Sequence, residues 1–103
     1  MEEKVKVSIL LEIYGNLLTE KQKEFMDLYY NKDLSLSEIA DNNEITRQAV
    51  RTILIKSKNK LEEYEEQLKF MQKEKKIKEY IKQIQITDTN KRAIKKILDQ
   101  IDF

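Results

Sequence analysis

Apolar residues recur along this chain at steps of three and four, the period of helices with one buried face. Val5, Ile9, Leu10 and Ile13 place one stripe on a first helix expected over about Lys4 to Tyr14, with Gly15 as its left-handed stop. Thr19, Glu20, Lys21 and Gln22 spell a capping box, so a second helix starts at Thr19. Leu18 sits just before that cap, and Phe25, Met26, Leu28, Tyr29 and Tyr30 form the apolar face. Asn31, Lys32 and Asp33 end it. A second capping box, Ser35 to Glu38, opens a short third helix with Leu36, Ile39 and Ala40 inward. Asp41 to Glu44 form a turn. Thr46 caps a fourth helix whose inward face is Ala49, Val50, Ile53 and Leu54.

The fourth helix has no stop signal in the sequence. Leu61, Tyr64, Leu68 and Met71 continue at alternating steps of three and four, the spacing of a coiled-coil seam. The run Lys73, Glu74, Lys75, Lys76 interrupts it, and Ile77, Ile81 and Ile84 resume in another phase, so a bend or loop is expected near residues 72–76. Asp88 or Thr89 is the candidate cap of a last helix, with Ala93, Ile94, Ile97, Leu98 and Ile101 on its apolar face. The pattern gives an all-α protein: a helical domain over residues 1–72 containing a helix-turn-helix at 35–55, then a C-terminal helical extension over 73–103. Leu61, Tyr64, Leu68 and Met71 are the expected homodimer interface, because the N-terminal core looks too small to cover them. The competing arrangement folds the last helix back over the seam.

Composition narrows the function. The 103 residues contain no Cys, no His, no Pro and one Gly. Disulfides and thiolate metal sites are excluded, and the commonest general base is missing. A phosphate loop needs two glycines and a dinucleotide fingerprint three. No catalytic residue, cofactor or metal site is expected, and the protein is expected not to be an enzyme. No apolar run approaches the length that spans a bilayer, and the N-terminus lacks a signal-peptide pattern, so a cytoplasmic protein with no membrane partner is expected. The net charge is +1, charged residues are 38% and mean hydropathy is −0.71. A chain so near neutrality is not drawn to nucleic acid by its overall field, so any such contact must rest on local charge.

That local charge lies in the helix-turn-helix. Ala40 is small where the two helices cross, Ile45 fills the gap after the turn, and Val50 and Ile53 return to the core. Arg47, Gln48, Arg51 and Thr52 are left to project from the first turns of the second helix, the part that enters a major groove. Arg reads guanine and Gln reads adenine through paired hydrogen bonds. Lys56, Lys58 and Lys60 extend the patch, and no acid lies between Thr46 and Leu61. The candidate nucleic-acid-binding residues are therefore Thr46, Arg47, Gln48, Arg51, Thr52 and Lys56. The competing reading is a solvated face or a protein-docking patch, since Glu62, Glu63, Glu65 and Glu66 follow at once. The turn departs from the usual apolar residue followed by Gly, with Asn43 and Glu44 in those places. Asn tolerates positive φ, so the turn is expected at Asn43 in a shifted register, because Glu44 there would be strained.

Several runs together resemble the YlxM family of bacterial proteins: Tyr14 to Gln22, Leu28 to Tyr30, Leu34 to Ala40, and Thr46 to Val50. The resemblance covers roughly residues 8–68. The same middle portion is similar in plan to the promoter-reading region 4 of bacterial sigma factors. The family resemblance implies a small helical protein whose gene neighbours those of the signal recognition particle GTPase and its receptor. It also implies a regulatory or accessory role in that pathway. Arg47, Gln48 and Ala49 match the family's recognition helix, whereas Arg51 stands where many members carry an aromatic residue.

Two functions follow as expectations. In one, the protein is a signal recognition particle accessory that binds the particle's GTPase or its RNA. In the other, it is a DNA-binding transcriptional regulator with a sigma-like recognition helix. A docking module for polymerase is a third reading. DNA, RNA and protein remain open as ligands at this point.

Overall fold

The computed structural model describes residues 2–84 and 88–100, with side chains for 88–90 left aside. Among the described residues there are six α-helices and no strand: α1 (Glu3–Tyr14), α2 (Glu20–Tyr30), α3 (Leu36–Asn43), α4 (Arg47–Leu68), α5 (Phe70–Gln83) and α6 (Asp88–Gln100). The all-helical class read from the pattern holds. The chain divides into two compact units between Leu68 and Lys69, where the sequence suggested 72/73.

In the first unit, α1 buries Val7, Leu10, Leu11 and Tyr14, and Val5 stays exposed. Of the expected stripe, Leu10 is buried, Ile9 and Ile13 are half-buried and Val5 is exposed, so the buried face is turned toward Val7, Leu11 and Tyr14. On that face the Tyr14 ring is buried while its hydroxyl stays paired. Tyr14 Oη hydrogen-bonds to Glu65 Oε1 at 2.7 Å. Gly15 is not a left-handed stop. It is right-handed, with φ −55° and ψ −33°, and opens a 3-10 turn over Gly15–Leu17. Its lack of a side chain serves close packing instead, since a Cβ there would lie 3.3 Å from Leu11 Cδ1.

Both capping boxes form as the sequence spells them. The Gln22 N–H donates to Thr19 Oγ1 at 3.2 Å and the Thr19 N–H to Gln22 Oε1 at 3.1 Å. Ser35 and Glu38 repeat the exchange at 3.1 Å in both directions. Leu18, just before the first cap, is buried, as are Phe25 and Met26 on α2 and Ile39 and Ala40 on α3. Asp33 takes a left-handed conformation after α2, and an ion pair from Lys4 of α1 holds it. That hydrogen bond raises the Lys4 pKa above its ordinary value.

α4 is the spine of the unit. Val50, Leu54, Ser57 and Leu61 form one inward row at steps of four, three and four. Ser57, unmarked in the sequence reading, is buried with its hydroxyl donated to Ile53 O at 2.6 Å, so it carries no unpaired polar group into the core. The expected dimer seam requires correction here. Leu61 is 0% exposed and belongs to this row, covered within its own chain. Tyr64 is half-buried, its ring 6.0 Å from that of Tyr14. α1 reaches this far because it lies along the second half of α4: Glu3 pairs with Lys58, and Tyr14 with Glu65. Leu68 ends α4 and is exposed, and Lys69, with φ 56°, is left-handed. Met71 lies on α5, so the four residues do not share one uninterrupted helix. The break falls at Lys69 and not at 72–76.

In the second unit, α5 and α6 contact each other. Ile81, Ile94 and Leu98 are half-buried, and no described residue of the unit is fully buried. The expected cap at Asp88 or Thr89, and Ile101, fall outside the described side chains.

Candidate nucleic-acid interface

The helix-turn-helix forms from α3 and α4, with the turn one residue later than expected. Asn43 remains in the last turn of α3, where its side-chain amide donates to Ile39 O at 2.8 Å. That bond anchors Asn43 in the helix, and the left-handed position passes to Glu44, with φ 55° and ψ 41°. The Ile45 N–H then returns to Ala40 O at 3.1 Å. The register is thus the usual one, and Glu44 bears the strain that a glycine would avoid. Thr46 caps α4 as expected, its hydroxyl accepting from the Ala49 N–H at 3.0 Å.

Steps of three and four along α4 put Gln48, Thr52, Ile55 and Asn59 on its outward face. Arg47 and Arg51 lie along one edge of that face, Lys56 and Lys60 along the other, and all eight are exposed. Arg47, Gln48 and Arg51 share a shallow depression of about 330 Å3 with Leu36 of α3. The structure therefore brings together five of the six candidates, with Thr46 spent on the cap. Thr52 is less available than its type suggests, because its hydroxyl donates to Gln48 O at 3.0 Å. Lys58 is half-buried and paired with Glu3, which takes it out of the free basic row. Ile55, 46% exposed, and Asn59 were missed in the sequence. Helical spacing from Gln48 would have found both. Beyond Leu61 the same face turns acidic with Glu62, Glu63 and Glu66.

A second, larger open groove of about 710 Å3 lies between α1 and α2, with Glu12, Glu20, Glu24 and Asp27 on its walls beside Lys23. Its sign is opposite to that of the α4 surface. Among the described residues, no group of three or more acids could hold a metal ion. No helix of the described residues is long and apolar enough to cross a membrane.

Known proteins match over nearly the whole chain. The family model of UPF0122, described as "Putative helix-turn-helix protein, YlxM / p13 like", matches residues 1–101. A UPF0122 protein of Clostridium kluyveri is 52% identical over 79 residues, 77% of this chain and 71% of the relative. One from Malacoplasma penetrans is 46% identical over 95 residues, 92% of this chain and 81% of the relative. One from Fusobacterium nucleatum is 40% identical over 101 residues, 98% of this chain and 97% of the relative. The match runs through the capped α2, the turn at Glu44 and α4, and continues into the second unit. The chain belongs to the UPF0122 family of YlxM/p13-like helix-turn-helix proteins.

Proposed function

We propose that the protein is a non-enzymatic, cytoplasmic accessory factor of the signal recognition particle pathway that lays the first half of α4 on the particle's RNA. The observation that carries this reading is the α4 surface from Arg47 to Lys60. It holds eight exposed side chains with no acid, and cations stand on both edges. Such a face suits phosphates on either side of a shallow groove, which is how folded RNA is gripped by shape and backbone contact. The pathway comes from the likeness to YlxM proteins, whose genes neighbour those of the particle's GTPase. The near-neutral whole chain makes the contact local and sensitive to salt.

A second reading, binding of duplex DNA, is favoured by one feature: the turn keeps the regular helix-turn-helix register, with Arg47 and Gln48 in the exposed first turn of α4. Titrating the full chain with the particle's RNA and with duplex DNA, across a salt series, separates the two. The RNA should bind more tightly, and Arg47→Ala with Arg51→Ala should weaken binding and reduce the log–log salt slope by about two, one unit per lost phosphate contact. Undiminished RNA binding by that double variant would remove the α4 surface from the account. Preference for duplex DNA would support the second reading, and binding to the particle's GTPase alone would make the surface a protein-docking patch.

A further inference from the structure

The second unit has helix-packing stripes with too little to cover them. α5 carries Ile77 and Ile81 a step of four apart, with Ile84 just past its end in an extended conformation, and α6 carries Ile94 and Ile97 a step of three apart. Ile77, Ile84 and Ile97 are 47%, 53% and 51% exposed, and Tyr80 beside them 62%. A pair of helices this short falls below the roughly 40 residues at which a chain encloses its own core, so its order needs apolar surface from elsewhere.

We propose that this surface is the same face of a second copy, and that two α5–α6 hairpins close into a four-helix bundle that makes the protein a dimer. Isoleucine at both alternating positions is the pattern that favours bundles of more than two helices, and two hairpins supply four. A twofold pairing uses one patch against itself and closes without leaving a free apolar face. The interface is thus moved from the α4 residues, of which Leu61 is buried in its own chain, to the isoleucines of α5 and α6.

Charge gives the pairing a signature. Residues 69–103 hold ten Lys and Arg against five Asp and Glu, a net +5, whereas the whole chain is +1. The hairpins repel at short range, so added salt should strengthen their association. Docking of the same face on an anionic lipid or nucleic acid would weaken with salt.

Analytical ultracentrifugation of the full chain decides the matter. At micromolar concentration the mass should approach twice 12.4 kDa, and the dimer fraction should rise with salt. Ile77→Lys with Ile97→Lys should give the monomer mass. Ile77→Ala with Ile97→Ala keeps good helix formers, so folding is preserved, and should weaken association by roughly tenfold or more. Leu17→Ala, at an equally exposed residue of the first unit, should leave it unchanged. A wild-type chain that stays monomeric through the micromolar range would overturn the proposal. So would alanine variants that associate as tightly as wild type, or a monomer that pellets with phosphatidylglycerol vesicles.

Discussion

α4 and α5 are written in similar residues, rich in Lys, Glu, Gln and Ile, with apolar positions at steps of three and four. α4 buries Val50, Leu54, Ser57 and Leu61, and α5 buries nothing completely. The difference is in what surrounds them. α1, α2 and α3 all pack on α4, whereas within its unit α5 has only α6. Periodicity therefore tells which face of a helix seeks cover, and the count of neighbouring helices tells whether it is found in the same chain.

The largest effect is expected from cutting one residue out of the α4 row. Leu61→Ala should cost about 2–5 kcal/mol, the usual range for a fully enclosed leucine, read as a lower denaturant midpoint of the first unit. A loss under about 0.5 kcal/mol, as for an ordinary surface site, would place Leu61 outside the core.

A smaller change sharpens the same contrast from the turn that aims α4. Glu44→Gly should stabilise the protein by about 1 kcal/mol, because glycine adopts the left-handed conformation without the Cβ clash. An unchanged or lower melting temperature would mean that the Glu44 side chain contributes more than its backbone costs.

The smallest expected effect is on pH. Tyr30 on α2 has its pKa raised by burial first, then by Tyr29 and Glu62. The folded protein thus holds this proton more tightly than the unfolded chain. The stability it contributes is complete below the ordinary tyrosine value of about 10 and is lost as pH rises through the folded pKa. Tyr30→Phe should reduce the alkaline loss of stability in a melt series. Identical alkaline curves for variant and wild type would discard this cause.

Local signals were legible and long-range ones were not. Thr19, Ser35 and Thr46 announce helix starts because a capping bond spans three residues and depends on nothing else. Arg47, Gln48, Arg51 and Lys56 were readable as exposed because they oppose Val50 and Leu54. By contrast, α1 has apolar residues on more than one side, and the Glu65 that pairs with its buried Tyr14 lies fifty-one residues away. Lys58 looked free because its partner, Glu3, lies on another helix. The stop at Lys69 carries no residue-type signal, since lysine is a good helix former.

The stops share a property with a consequence for the direction of α4. Asp33, Glu44 and Lys69 are all left-handed and none is glycine. After the first two, one half-buried apolar residue (Leu34 or Ile45) leads straight to a capping Ser35 or Thr46. The beginnings of helices are thus encoded in residue type, while the endings carry a backbone cost that the rest of the fold offsets. α3 carries no glycine to end it at Asn43. Its turn is closed by the Asn43 and Ile45 hydrogen bonds to Ile39 O and Ala40 O, so the direction of α4 rests on a left-handed Glu44 and on the core behind it.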